Sequence, residues 1–205
     1  MTYQRLFDFE QALAEYTGAR FAIATDGCTH AIQLAMIYDQ VDYCKFTPFT
    51  YLSVPMILHR TGVRFDYLAE TEQTWLGEYQ FIGTRIWDSA RLLAPGMYRP
   101  GQMQCLSFGN GKPMQIGKMG AILLDDARAY QEISMLRSDG RDLHVHPWIQ
   151  QKTFPVGFHY SPTLEACETG LRLLPTVDQT PKFVAYNDCR LVEFYDQTSK
   201  TKHRL

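Results

Sequence analysis

Residues 9–36 read FEQALAEYTGARFAIATDGCTHAIQLAM, and this stretch decides the fold class. Apolar residues at 9, 12, 13 and 16 form a helical stripe, and Gly18 supplies a C-terminal stop. Residues 20–25 (RFAIAT) are short, apolar and bounded by turn residues, so they read as a buried strand. Asp26-Gly27-Cys28-Thr29 is a turn that opens a second helix over residues 30–39, with Ile32, Leu34, Ala35 and Met36 inside. The unit is therefore helix, strand, tight polar turn, helix.

The alternation continues outward. Strands are expected at residues 43–46, 63–68, 84–87, 103–108 and 121–124, and helices at 52–60 and 126–136. Strands alternating with helices predict an α/β domain with a largely parallel sheet covered on both faces. Ligands of such sheets sit beyond the carboxyl ends of the strands. After Gly140 the periodicity fades into a long loop over residues 141–160, and helices are expected at 163–174 and 182–197.

Composition narrows the class. The 205 residues hold 45% hydrophobic and 20% charged side chains, as in an ordinary globular protein of one domain, at most a domain and a half. A net charge of −2, from 20 basic and 22 acidic residues, offers no electrostatic basis for nucleic acid or an anionic membrane as main partner. The basic tail at residues 200–204 reads as solvated and frayed. Five cysteines, at 28, 44, 105, 167 and 189, form no CxxC pair and read as buried free thiols of a reducing compartment. Neither a membrane-spanning run nor a signal-peptide core is visible, so a cytoplasmic location is expected.

Candidate chemistry follows the expected strand ends. Lys112 stands in Ser107-Phe108-Gly109-Asn110-Gly111-Lys112-Pro113, where glycines admit a ligand close to the backbone and Ser107 with loop amides suits a phosphate. A lysine nucleophile needs such a partly desolvated place, although a lysine in a glycine-rich loop also serves as a solvated turn residue. Asp88 ends a strand, a position for a turn former or for a carboxylate against a protonated ring nitrogen. Gly27-Cys28-Thr29 suits a phosphate at a helix N-terminus, and Thr29 also suits a helix cap. Tyr51 offers a flat face for a cofactor ring or a side chain for the core. His144-Val145-His146 has metal-like content but no neighbouring carboxylate or thiol cluster.

In order and spacing these segments resemble the DegT/StrS-type sugar aminotransferases, pyridoxal-phosphate enzymes of the aspartate aminotransferase fold (fold type I). Residues 9–36 resemble the family's opening. Phe49-Thr50-Tyr51 is similar to its aromatic segment, Ile86-Trp87-Asp88-Ser89-Ala90 to its acidic motif, residues 105–121 to its lysine loop, and Gly157-Phe158-His159-Tyr160 to its arm into a neighbouring subunit. The resemblance spans roughly residues 7–175 and departs at Arg91, His159, Ser161, Lys118 and Met119. It implies a three-layer α/β/α large domain over residues 1–160, with residues 161–205 a C-terminal helical segment and the small domain largely absent.

The resemblance further implies pyridoxal 5′-phosphate held as a Schiff base on Lys112 and by Asp88, with Cys28, Thr29, Tyr51, Arg91, Ser107 and His159 as further cofactor contacts. The expected activity is amino transfer from glutamate to a nucleotide-linked keto-sugar in a homodimer, with Arg91, Lys118 and Arg99 available to a substrate diphosphate. A sugar dehydratase commonly has histidine at the lysine position, so Lys112 argues against that reaction. The alternative is a catalytically degenerate cofactor-binding or interaction module.

Overall fold

The computed structural model describes residues 3–69, 76–177, 186–196 and 201–204. Helix α1 (Gln4–Thr17) ends at Gly18, whose φ of 76° is the left-handed value that glycine adopts without strain. Strand β1 (Phe21–Thr25), helix α2 (Cys28–Tyr38), strand β2 (Tyr43–Phe46), helix α3 (Ser53–Thr61) and strand β3 (Arg64–Tyr67) follow. Then come β4 (Tyr79–Gln80), β5 (Ile86–Asp88), β6 (Met103–Ser107), β7 (Gly120–Leu124), α4 (Ala127–Arg137) and α5 (Leu164–Leu173).

The main sheet has the order β1-β7-β6-β5-β4. It is mixed. Only β5 and β6 run parallel, while β1–β7, β7–β6 and β5–β4 are antiparallel. This corrects the expectation of a largely parallel sheet. Between β6 and β7 the chain makes only the lysine loop, with no crossover helix, and strands joined without a crossover must pair antiparallel. The parallel pair β2–β3 forms a second small sheet, bridged to the first by Lys45 and Ile82.

Side chains alternate across the sheet and build two cores. Ile23, Met103, Cys105, Ile122 and Leu124 face α2, α3 and α4, packing with Ile32, Met36, Leu58 and Ile133. Ala22, Ala24, Leu106, Ala121 and Leu123 face the other way, onto Leu6, Phe9 and Leu13 of α1 and Cys167 of α5. Strands buried on both faces read as continuous apolar runs, which is why RFAIAT, MQCLSF and AILL are legible in the sequence. All five cysteines are free thiols, four of them buried.

The C-terminal part differs from expectation. Among described residues of the expected helix at 182–197, Cys189–Leu191 form a short 3-10 turn and β8 (Glu193–Asp196) is a strand; residues 182–185 and 197 lie outside the described residues. Val192, Phe194 and Tyr195 suit a strand better than a helix. The tail is likewise not frayed where described: β9 (Thr201–Arg204) pairs antiparallel with β8, while Lys200 lies outside the described residues. No helix is long and apolar enough to cross a membrane among the described residues.

Candidate active site

Strand register brings the candidates together. Thr25 of β1 and Ser107 of β6 both pair with Gly120, at the start of β7, and Asp88 of β5 pairs with Cys105. The carboxyl ends of β1, β5 and β6 therefore open on one edge of the sheet. A Cβ on Gly120 would collide with the backbone of Gly27 and Cys28, so only glycine lets the turn before α2 settle onto that edge. A cavity of about 660 Å³ lies there, and Cys28, Thr29, Tyr51, Asp88, Arg91, Ser107 and Lys112 all line it. His159 does not.

Asp88 is buried and accepts hydrogen bonds from Tyr79 Oη (2.9 Å) and the Ala90 amide (2.9 Å). Burial pushes its carboxyl above the usual carboxylate range, while the Ala90 amide and the charge of Lys112 pull it back. Burial raises the Tyr79 phenol far more, so Tyr79 keeps its proton and donates it to Asp88. Thr50 Oγ1 lies 2.6 Å from the same phenol, tying the residue 48–51 loop to the acid. Among the described residues no cation makes a direct ion pair with Asp88.

The opposite wall is the N-terminus of α2. Asp126 and Thr163 cap α4 and α5 with their side chains, but no side chain caps α2. Thr29 sits inside the first turn, with its hydroxyl 2.6 Å from Ser53 Oγ, so it is not the cap. The first amides of a helix have no acceptor within it. At α2 they stand beside Gly27, where a Cβ would meet nothing within 4 Å. These backbone amides are able to donate to an anion, and Ser107 stands on the same wall. Burial, then the charge of Asp88, pushes the Cys28 thiol well up, so it stays protonated.

The lysine loop supplies the third wall. Gly111 takes a φ of 72°, and the Lys112 amide donates to Gly109 O (3.3 Å). Lys112 Nζ donates to Tyr186 Oη at 3.0 Å, and Arg91 Nε donates to the same oxygen at 3.0 Å. Tyr51, 63% exposed, stands at the rim with its ring 6.5 Å from that of Tyr186.

Sequence reasoning missed Tyr186, which belongs to no motif; its one signal is the adjoining turn pair Asn187-Asp188. It also missed His30, whose Nδ1 lies 2.6 Å from Asp26 Oδ1 and whose ring stacks on Tyr160 at 3.7 Å.

His159 is 90% exposed at its side chain and pairs with Asp139 (3.0 Å). Its neighbour Tyr160 packs within the chain, where its carbonyl accepts from the Asp26 amide at 2.8 Å. Lys118 reaches Asp26 at 3.8 Å on the pocket rim. Arg99 does not face the cavity: it pairs with Glu78 and lies over the Trp87 ring. His144 stacks on Phe7 at 4.4 Å, and among the described residues no group of three His, Cys, Asp or Glu is placed to hold a metal.

The fold has solved relatives. PseC of Helicobacter pylori, an aminotransferase involved in the biosynthesis of pseudoaminic acid, is 15% identical with a TM-score of 0.66, covering 84% of this chain and 57% of that one. The sugar aminotransferase CalS13 of Micromonospora echinospora is 14% identical with a TM-score of 0.65, covering 83% and 60%. A Streptococcus pneumoniae protein assigned as a sugar aminotransferase, in its PLP form, is 14% identical with a TM-score of 0.65, covering 84% and 59%. The chain thus spans less than two thirds of the length of these proteins. A search among curated protein sequences finds no match. Residues 1–84, which carry α1, the turn before α2 and the residue 48–51 loop, match the DegT/DnrJ/EryC1/StrS aminotransferase family. Over that segment the chain is similar to this family, and beyond it the solved structures share its fold.

Proposed function

We propose that this chain binds pyridoxal 5′-phosphate through Lys112 and transfers an amino group from glutamate to a nucleotide-linked keto-sugar. One observation carries the reading: Lys112, the buried Asp88 and the uncapped end of α2 line a single cavity of about 660 Å³. The residues present fit the cofactor. Asp88 is a buried acid without a direct cationic partner among the described residues, as a carboxylate facing a protonated ring nitrogen requires. The α2 amides, Thr29 and Ser107 match a phosphate.

When bound, the cofactor supplies an electron sink for cleaving the C–H bond at the donor's α-carbon. Asp88 Oδ2 and Oδ1, fixed by Tyr79 and Ala90, hold a proton on the ring nitrogen. The amides at Cys28 and Thr29, with the hydroxyls of Thr29 and Ser107, bind the phosphate. Tyr51 covers the ring from the rim. Lys112 Nζ would be the amine that holds the cofactor, and the same nitrogen would serve as the base toward the proton on the donor's α-carbon. Arg91 and Lys118 stand at the rim for a substrate diphosphate. A homodimer is part of this reading: a second copy covers the exposed Tyr51 side and brings its His159 toward the phosphate.

A second reading, a cofactor-binding or interaction module without turnover, draws on Tyr186, whose hydroxyl already engages the Lys112 amine. Titration with pyridoxal 5′-phosphate separates the two. The visible band of a covalent complex is expected, with borohydride fixing the cofactor on the Lys112 peptide, and Lys112→Ala abolishing both without loss of fold. Glutamate should then bleach the band and a keto-sugar nucleotide restore it. No band in the wild type overturns the cofactor reading. A band that no amino donor changes leaves only the second.

A further inference from the structure

Tyr186 lies outside every motif, yet it hydrogen-bonds the Lys112 amine. Its hydroxyl oxygen accepts from Lys112 Nζ and from Arg91 Nε, each at 3.0 Å, and both cations lie over its ring, at 5.7 and 5.0 Å. The segment that carries it is pinned to the loop bearing Thr50 and Tyr51. The Cys189 amide donates to Pro48 O (2.9 Å), the buried Cys189 thiol reaches Thr50 O (3.5 Å), and Asp188 bridges Phe49. A lysine side chain is long and rotatable, so an amine held at one point needs a fixed partner. Tyr186 is that partner.

The alternative partner is Asp88. It lines the same cavity, it is buried, and its carboxyl responds to the charge of Lys112, yet the two make no ion pair. A lysine released from Tyr186 has this carboxylate as its strongest attractor, because opposite charges attract more in a dry site than in water. That collapse would take the amine from a carbonyl ligand and the carboxylate from a ring nitrogen at once. We propose that Tyr186 is a positioning residue: its hydroxyl, shared with Arg91, holds the Lys112 amine apart from Asp88 and open to a carbonyl ligand. This role rests on the reading of Lys112 as the reacting amine.

Competitive acetylation of the ligand-free protein tests it. An amine nitrogen attacks acetic anhydride, an N–C bond forms, acetate leaves, and the proton goes to solvent. Lys118, 82% exposed in the same loop, is the internal reference. In Tyr186→Phe, which keeps the ring and loses the charge-assisted hydrogen bonds from both Lys112 and Arg91, the Lys112-to-Lys118 ratio should fall roughly tenfold. Adding Asp88→Asn should return it to within about twofold of Asp88→Asn alone, since only the carboxylate traps the amine. A merely structural tyrosine gives no such rescue. A ratio unchanged in Tyr186→Phe, or a fall that Asp88→Asn does not repair, overturns the role of Tyr186 alone. Wild-type protein that never forms a covalent product with pyridoxal 5′-phosphate overturns the functional reading, and this role with it.

Discussion

Glu10 and Asp88 are both buried carboxylates, and burial raises both above the usual range. Their surroundings differ. Glu10, on α1, accepts from the Ala24 amide and forms a direct ion pair with Arg137, which also donates to Ala24 O at 2.9 Å. That pair staples α1 and β1 to the end of α4. It lines a second cavity, about 490 Å³, walled by Phe7, Phe21, Tyr130 and His144. Asp88 has hydrogen bonds but, among the described residues, no direct cation, and the cationic residues of its region, Lys112 and Arg91, are held by Tyr186 instead. A carboxylate used for structure is neutralised where it stands, whereas one kept for a ligand is oriented and left charged-side open. Burial alone does not separate the two; the partner set does.

The largest effect should come from breaking the Glu10 region. Arg137→Ala leaves an uncompensated buried acid, and the loss should be about 3–5 kcal/mol in urea unfolding. Covalent capture of the cofactor by the fraction still folded should be unchanged. A small loss of stability would mean that solvent reaches Glu10, and the contrast with Asp88 would dissolve.

Asp88→Asn should act in the opposite sense. It keeps the shape and removes the charge, so on the proposed function turnover should drop about a hundredfold, near 2.7 kcal/mol, as the ring nitrogen would lose its counter-charge. Stability should not drop. Because burial raises the folded-state pKa, wild-type Asp88 favours folding fully only below the ordinary value of 3.8, and that contribution is lost as pH rises through its raised value. The variant should therefore gain on the wild type across that window and hold the gain at neutral pH. Unfolding curves at several pH values check this; a constant difference would show that Asp88 is not buried in its charged form.

These contrasts also explain what the sequence made legible. β1, β6 and β7 were visible because strands buried on both faces are written as apolar runs, and Gly18 marks a helix end on its own. Strand direction was not visible: it depends on whether a connection crosses over, and the lysine loop does not. β4 has two residues, too few for any period. Most candidate residues stood at strand ends, where the fold class itself points. Tyr186 is brought to the site by the pairing of Cys189 with Pro48 and Thr50 and of Asp188 with Phe49, more than 130 residues away, and no local pattern encodes that. The Glu10–Arg137 pair, separated by 127 residues, was invisible for the same reason.

Smaller effects probe the backbone anion seat. If the α2 amides carry the phosphate, Thr29→Ala and Ser107→Ala should each weaken pyridoxal 5′-phosphate binding by only about 1 kcal/mol, roughly fivefold in Kd. A loss of a hundredfold from either would move the main phosphate contact from backbone to side chain. The borohydride-trapped fraction at limiting cofactor gives the measurement without any need for turnover.

The smallest effect is expected at His159. Its side chain is 90% exposed and its partner Asp139 is half exposed, so in one chain the pair is worth little. His159→Ala should leave the urea midpoint within error of the wild type. Its influence should appear only where two chains meet. In the proposed homodimer the residue 157–161 loop brings His159 toward the neighbour's phosphate, so the variant should bind pyridoxal 5′-phosphate about two- to fivefold more weakly at protein concentrations that favour the dimer. At dilutions where sedimentation shows monomer, variant and wild type should bind alike. That concentration dependence separates a cross-subunit contact from a surface ion pair. A deficit that is the same at all concentrations would place His159 in the site of its own chain, against the position of its ring beside Asp139. Equal binding everywhere would leave His159 as a surface ion pair with Asp139 and nothing more.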